Sequence, residues 1–219
     1  MALAVTVMAA LGACEVPGNG KTGDGKEAAG GAPSASKQAA SEAPIADGGL
    51  AGSIPPGAGS LPAGWSLKPA FPTVEQCPAP APCRGLVFDV RAEYDTDAAD
   101  GVQVIVKVYS SADAAIAGFA EAKKDLLDGE EPRTEIALPV AGADTSAGYT
   151  WQLRSQDGTE VSNSWAESAV LAGTAVIEIH MSKDPGEPSI AVLTALHTTI
   201  AARAREAQGG KTPTARFVL

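Results

Sequence analysis

The chain has 219 residues, of which 45% are hydrophobic and 5% aromatic, and its formal net charge at pH 7 is −10. Its basic residues are dispersed along the chain rather than clustered. An acidic chain of this kind is poorly suited to bind nucleic acid, or to adhere to anionic lipid by charge alone. Nucleic acid is therefore not an expected partner.

An apolar run occupies residues 1–11 and leads into Leu11-Gly12-Ala13-Cys14. The run is well below the roughly 20 residues that span a bilayer. Its position, the small residues before the cysteine and the Gly/Ala/Pro/Ser composition that follows are typical of a signal peptide, although no Lys or Arg precedes Lys21. An ordinary buried helix is the alternative.

The four residues ending at Cys14 resemble the lipobox of bacterial lipoproteins, in which a signal peptide is cut just before a cysteine that carries diacylglycerol. The resemblance implies a signal peptide over residues 1–13 and a lipidated Cys14, with an acyl chain such as palmitate on its new amino group. Membrane lipid would then be a partner through Cys14. The protein would lie on the outer face of the bacterial cytoplasmic membrane.

Residues 14–60 contain no Phe, Trp or Tyr and are rich in Gly, Ala, Pro and Ser. Such a segment cannot bury enough apolar surface to offset the entropy of ordering. We predict a disordered tether behind the lipidated cysteine, with a root-mean-square reach of roughly 35 to 40 Å. A globular extracytoplasmic domain should then occupy residues 61–208, followed by a flexible tail over 209–219.

Three cysteines are present, and lipidation of Cys14 would leave Cys77 and Cys83 as an even pair. They bracket a proline-rich segment, residues 78–82, whose restricted backbone favours a small closed ring. A metal site would need a second Cys/His pair, and a redox motif would need shorter spacing. The sequence predicts a structural disulfide.

Alternating apolar and polar residues predict strands over 86–94 and 102–109, and Ser110 is the predicted N-cap of a helix that ends before Gly129. Further strands are predicted near 134–140, 149–153, 161–171 and 175–181, with tight turns at Asp157-Gly158 and Ala172-Gly173. A second helix should run from Pro188 to Gly209. The predicted fold class is α+β: a single antiparallel sheet of about six strands with two packed helices, in the order β-β-α-β-β-β-β-α.

Two stretches, residues 104–119 and 171–179, together with the terminal helix resemble actinobacterial lipoproteins and extracytoplasmic sensor domains of the PknH-like type. The resemblance covers residues 65–207 and implies a domain that binds an extracytoplasmic ligand or partner. The matching positions are core residues, a helix cap and a hairpin turn. Positions of these kinds determine the fold and do not take part in chemistry, so the resemblance assigns no functional residue.

Catalytic and metal-binding patterns are missing from the sequence. It has no G-x-S-x-G elbow, and its carboxylates show no spacing typical of an acid/base pair. The acidic stretch before Gly101 departs from a calcium loop, because the glycine is one place late and Val106 stands where Glu is required, so an acidic hairpin turn is favoured. His180 and His197 lack a third ligand for a metal. We expect a non-enzyme with no metal and no cofactor.

Trp65, Trp151 and Trp165 are the tryptophans of the chain, and core or edge packing is the default for such residues. The alternative is a ligand-binding groove lined by Trp151 and Trp165 across the Asp157-Gly158 hairpin. The sequence thus predicts a membrane-anchored, non-catalytic module that binds an unidentified envelope ligand or protein. A lipid-anchored envelope hydrolase with an unrecognised active site is the other hypothesis.

Overall fold

The computed structural model describes residues 43–77, 83–154 and 161–219. The predicted signal peptide, Cys14 and the Asp157-Gly158 turn lie outside these residues. The helices are α1 (Gly48–Gly52), α2 (Ala112–Asp125) and α3 (Ile190–Gln208), with a short 3-10 turn at Ala58–Ser60. The strands are β1 (Trp65–Leu67), β2 (Thr73–Gln76), β3 (Leu86–Thr96), β4 (Ala99–Tyr109), β5 (Thr134–Glu135), β6 (Thr145–Arg154), β7 (Val161–Ala172) and β8 (Ala175–Lys183).

The strands form one antiparallel sheet in the order β1-β3-β4-β8-β7-β6-β5, with β2 also pairing with β3. The α+β class and the antiparallel sheet agree with the prediction, but the sheet has eight strands rather than about six. The two additional strands are β1 and β2, which pair with successive parts of β3. Each is too short to show the alternation that marks a strand in a sequence.

One face of the sheet, which we call the α3 face, carries the main core. Alternate residues of β3, β4, β7 and β8 point to this face, where they pack with Leu193, Leu196 and Ile200 of α3. Val104, Val106, Ile177 and Ile179 are completely buried there. The side chain of Ser189 caps α3 by accepting a hydrogen bond from the Val192 N–H at 3.4 Å, so the helix begins after the predicted Pro188.

The opposite face, which we call the α2 face, is covered in part by α2. A smaller cluster there joins Ala115 and Leu126 to Tyr149, Leu171 and Val176. The helix approaches closely at Gly118, where an added Cβ would overlap the ring of Tyr109. The predicted cap Ser110 is wrong by one residue: Ser111 Oγ accepts the hydrogen bond from the Ala114 N–H at 3.2 Å.

Buried Arg203 of α3 holds the segments at both ends of the domain. Its guanidinium donates to the carbonyl oxygens of Ser53 (2.7 Å), Ile54 (2.8 Å) and Ala215 (2.7 Å). Ile45, Ala51 and Ile54 are buried, so packed structure begins before residue 61, where the sequence predicts the domain to start. An apolar residue such as Ile54 is enough to fix a segment whose average composition resembles a tether.

Residues 209–219, predicted to be a flexible tail, also pack on the domain. Phe217 is 2% exposed and meets Trp65 edge-on, with ring centroids 4.9 Å apart. The Phe217 N–H donates to the Ser60 carbonyl at 2.8 Å. Phe217 and the hydrogen bond from Arg203 to Ala215 thus hold this segment on the domain, even though it forms no helix or strand.

Candidate functional site: a cleft beside strand β6

Trp151 of β6 and Trp165 of β7 are cross-strand partners in the sheet. Their rings are stacked, with centroids 5.3 Å apart and planes at 3°. Both side chains are half-buried, unlike Trp65, which belongs to the main core. The structure therefore brings together the two tryptophans that the sequence singled out.

A polar cluster surrounds this stack. The guanidinium carbon of Arg133 lies 4.8 Å from the Trp151 ring centre, within the range of a cation–π contact. Arg133 also forms an ion pair with Glu167, and His180 Nδ1 lies 3.4 Å from Glu167 Oε1. Burial by itself raises the pKa of Glu167, but the hydrogen bonds from His180 and Arg133 outweigh it and hold that pKa below its usual value. Through Arg133, these contacts attach the loop before β5 to the sheet.

A cleft of about 590 Å³ lies beside the C-terminal part of β6. Its walls come from the loop before β5, from β5, β6 and β7, and from the segment that leads into α3. The lining residues are Glu131, Pro132, Thr134, Ile136, Thr150, Trp151, Gln152, Arg154, Ser164, Trp165, Glu187, Pro188 and Ile190.

Trp151 and Trp165 are both among the residues that line this cleft. Successive side chains of a strand point to opposite faces, and Trp165 shares its face with Ala169 and Leu171, which pack in the α2 cluster. Gln152, which pairs with Ser164, points to the α3 face together with Ile190. We infer from this alternation that the two tryptophans face the cleft mainly with their main chains, and the ligand-binding groove lined by Trp151 and Trp165 stays a prediction.

A second, smaller cleft of about 240 Å³ adjoins the first. Gln152, Ser164 and Glu187 line both clefts. The Gln152 side-chain amide donates to Glu187 Oε1 at 3.4 Å, which links β6 to the segment before α3. Asn163 also lines the second cleft, and its buried Oδ1 has no hydrogen-bond partner among the described residues.

Charges around the two clefts nearly balance. Glu131, Glu187 and Asp184 contribute carboxylates, whereas Arg154 and Lys183 contribute cations. The remaining lining side chains are hydroxyls, amides, prolines and aliphatic groups. A site of this composition favours a largely uncharged ligand with both apolar and hydrogen-bonding groups.

Ser168 and His197 form a buried contact elsewhere in the domain, with Ser168 Oγ 2.7 Å from His197 Nε2. The Ser168 hydroxyl also lies 3.3 Å from the Ile179 carbonyl oxygen, a second possible acceptor for its proton. Both residues are 0% exposed, so the pair lies in the core of the domain.

Cys77 and Cys83 form the predicted disulfide, with Cα atoms 6.3 Å apart. The Cys77 N–H donates to Val87 O, and Cys83 O accepts from the Leu86 N–H, so the bridge sits at the beginning of β3. No helix in the described part of the chain is long and apolar enough to span a bilayer. Within the same residues, no three His, Cys, Asp or Glu side chains are grouped in a way that could hold a metal ion.

Comparison with known protein families and with curated proteins gives no match. Among solved structures, the extracellular domain of PknH from Mycobacterium tuberculosis is similar, with a TM-score of 0.49 and 10% sequence identity. The similarity covers 78% of this chain and all of the PknH domain. It is the same type of domain that the sequence resembles, but a likeness this distant assigns neither a family nor a function to the chain.

Proposed function

We propose that this protein is a lipid-anchored extracytoplasmic module that binds a ligand or partner without catalysis, and that the cleft beside β6 is its binding site. The cleft itself carries the proposal. Its volume of about 590 Å³ falls in the range of about 300 to 1,000 Å³ that is usual for ligand sites. Its walls combine apolar groups such as Ile136 and Ile190 with hydrogen-bonding groups such as Gln152.

Cysteine pairing supports the anchoring part of the proposal. The chain contains three cysteines, and Cys77 and Cys83 are joined to each other. Cys14 is the remaining cysteine, and it stands at the end of the lipobox-like Leu11-Gly12-Ala13-Cys14. Lipidation of Cys14 would place the domain on the outer face of the cytoplasmic membrane.

The geometry of Ser168 and His197 supports a non-catalytic role. The pair combines a hydroxyl with an imidazole, but both residues are completely buried in the core, where a substrate has no access to them. Neither residue lines the clefts beside β6. A hydrolase would therefore need other residues.

Two adjacent residues of β5 allow a matched test. Thr134 lines the cleft, whereas Glu135 is exposed and points to the other face. Thr134→Trp should fill the cleft, and Glu135→Trp adds the same side chain outside it. We expect components of an envelope extract to raise the melting temperature of the wild type and of Glu135→Trp by mass action, and to have little effect on Thr134→Trp.

Native mass spectrometry of the same samples would identify the bound species. Equal ligand-induced shifts in both variants would contradict the assignment of the cleft. Turnover of an envelope substrate that disappears in Thr134→Trp but persists in Glu135→Trp would replace the binding role with an enzymatic one.

A further inference from the structure

Among the described residues, the edge of β6 has no strand partner where the cleft begins. Strand β5 pairs with β6 only at Thr150 and Tyr149, and the Ile136 N–H donates to the Gly148 carbonyl at 2.9 Å. Main-chain groups of alternate residues point to the same side of a strand. Gln152 therefore directs its N–H and C=O to the β5 side, as Gly148 does, but β5 does not extend far enough to meet them.

Pro132 explains why β5 stops there. Continuing the register of Thr134 with Thr150 would place residue 132 opposite Gln152. Proline has no N–H to give to the Gln152 carbonyl, so it ends the ladder. Pro132 lines the cleft instead. The result is a short open edge of sheet with an aliphatic wall beside it.

We propose that the cleft binds an extended peptide segment of a partner protein, which adds to β6 as a strand in line with β5. This inference rests on the proposed function and names the ligand class for the same site. An open sheet edge supplies main-chain hydrogen bonds to a peptide, and neighbouring pockets accept its alternate side chains. Gln152 supplies the main-chain groups, and Pro132, Ile136 and Ile190 form the apolar wall.

The negative charge of the domain favours some peptide sequences over others. The charges at the cleft itself nearly balance, with the carboxylates of Glu131 and Glu187 beside the cation of Arg154, but the chain as a whole carries a formal charge of −10. Long-range attraction then favours a neutral or basic segment over an acidic one. Apolar side chains should occur at every second position, because one face of the added strand packs on the aliphatic wall.

A saccharide is the less favourable occupant. Sugar rings are held well by stacking on aromatic side chains, but the rings of Trp151 and Trp165 lie on the α2 face, on the other side of the sheet. The side chains that the cleft does present are aliphatic groups, hydroxyls, an amide and a few charges. These fit a peptide with apolar side chains better than a polyhydroxylated ring.

Two substitutions of Gln152 distinguish the contribution of its main-chain N–H to binding from that of its side chain. Gln152→Pro removes the N–H that a peptide strand needs, and proline is tolerated at an edge where the N–H faces away from the neighbouring strand. Gln152→Ala removes the side chain and keeps the N–H. The probes are phage-displayed random dodecapeptides, with neutral oligosaccharides of glucose, mannose and N-acetylglucosamine as the comparison.

We expect selected peptides to bind Gln152→Pro at least roughly tenfold more weakly than they bind the wild type or Gln152→Ala, which both keep the main-chain N–H. Amide hydrogen exchange of Gln152 in the wild type should slow when peptide binds. This second measurement does not depend on a variant, so it decides the matter even if Gln152→Pro fails to fold.

Equal peptide affinity in Gln152→Pro and wild type, or unchanged exchange at Gln152, would overturn strand addition. Binding of oligosaccharides but not of peptides would overturn it too, while the proposed binding function would stand. If neither the two probe sets nor the envelope extract binds at the cleft, the strand proposal and the proposed function both fail.

Discussion

The indole rings of Trp151 and Trp165 stack 5.3 Å apart on one face of the sheet, while the main chains of the same residues line a cleft on the other face. This relationship separates two roles that the sequence had assigned to one groove. The rings, with Arg133 over Trp151, hold β6, β7 and the loop before β5 together.

Trp165→Ala should therefore cost stability rather than ligand affinity. Truncation of a half-buried, stacked tryptophan is expected to lower the free energy of unfolding by about 2 to 3 kcal/mol. Urea unfolding would measure this loss, with Trp165→Phe as the control that keeps an aromatic ring. A folded Trp165→Ala protein that has lost binding of envelope components would contradict the separation of the two faces.

Acid should destabilise the domain through His197. Burial lowers the pKa of this residue to about 3, whereas an exposed histidine titrates near pH 6.5. Between these values the unfolded chain binds a proton that the folded chain does not. The contribution to stability is therefore complete above about pH 6.5, and it declines as pH falls toward 3 by up to about 1.4 kcal/mol per pH unit.

Comparison of two histidine variants tests this pH dependence. His197→Gln should be less stable than the wild type at neutral pH, and the difference should shrink as the pH is lowered from about 7 to 4. His180→Gln removes the histidine on the other face and should keep the decline attributed to His197. A constant difference between His197→Gln and wild type across this range would refute the assignment.

Arg203→Met should destabilise the domain by roughly 3 kcal/mol or more. The change leaves the carbonyls of Ser53, Ile54 and Ala215 without their charged donor in a buried position. Limited proteolysis should then cut within residues 43–60, which remain protected in the wild type. Arg216 is exposed, and Arg216→Met is the control, with an expected effect within about 0.5 kcal/mol.

Loss of the Cys77–Cys83 bridge should cost about 2 kcal/mol, since a disulfide that closes a small loop restricts the unfolded chain. The prolines between the two cysteines already restrict that chain and reduce the figure. Thermal unfolding of the double Cys→Ser variant gives the measurement. Intact mass of the exported wild type should be two hydrogens below that of the reduced form, and free thiols at both positions would contradict the bridge.

Cys14→Ser should abolish lipid attachment and release the domain from the membrane. Metabolic labelling with an alkyne fatty acid, followed by fractionation, would show both effects. The double Cys77→Ser/Cys83→Ser variant is the control, because it removes the disulfide cysteines but leaves the lipobox intact. Undiminished labelling of Cys14→Ser would rule out this anchor.

Strands with one buried face could be predicted from the sequence. β3, β4, β7 and β8 are each nine or more residues long. The antiparallel pairing of β3 with β4 and of β7 with β8 followed from the short turns between them, whereas the pairing of β4 with β8 did not. Strands β1 and β2 could not be predicted, because segments of three and four residues are too short to show a periodic pattern of apolar side chains.

The candidate site was only partly predictable. The predicted Asp157-Gly158 hairpin brought Trp151 and Trp165 onto neighbouring strands, but it could not tell which helix covers the face that carries their rings. The cleft depends on the segment around Glu187, which reaches β6 from a distant part of the sequence. Burial of His197 and Arg203 was equally hidden, because a polar residue on an amphipathic helix is usually solvated, and only tertiary contacts reveal its partners.

The position of Arg203 on α3 also matters for the cleft. Arg203 grips the N-terminal segment near one end of α3, and Ile190 at the other end forms part of the cleft wall, about 20 Å away along the helix axis. Helix α3 therefore connects the N-terminal segment to one wall of the cleft. A change in the tilt of α3 would displace both ends of the helix at the same time.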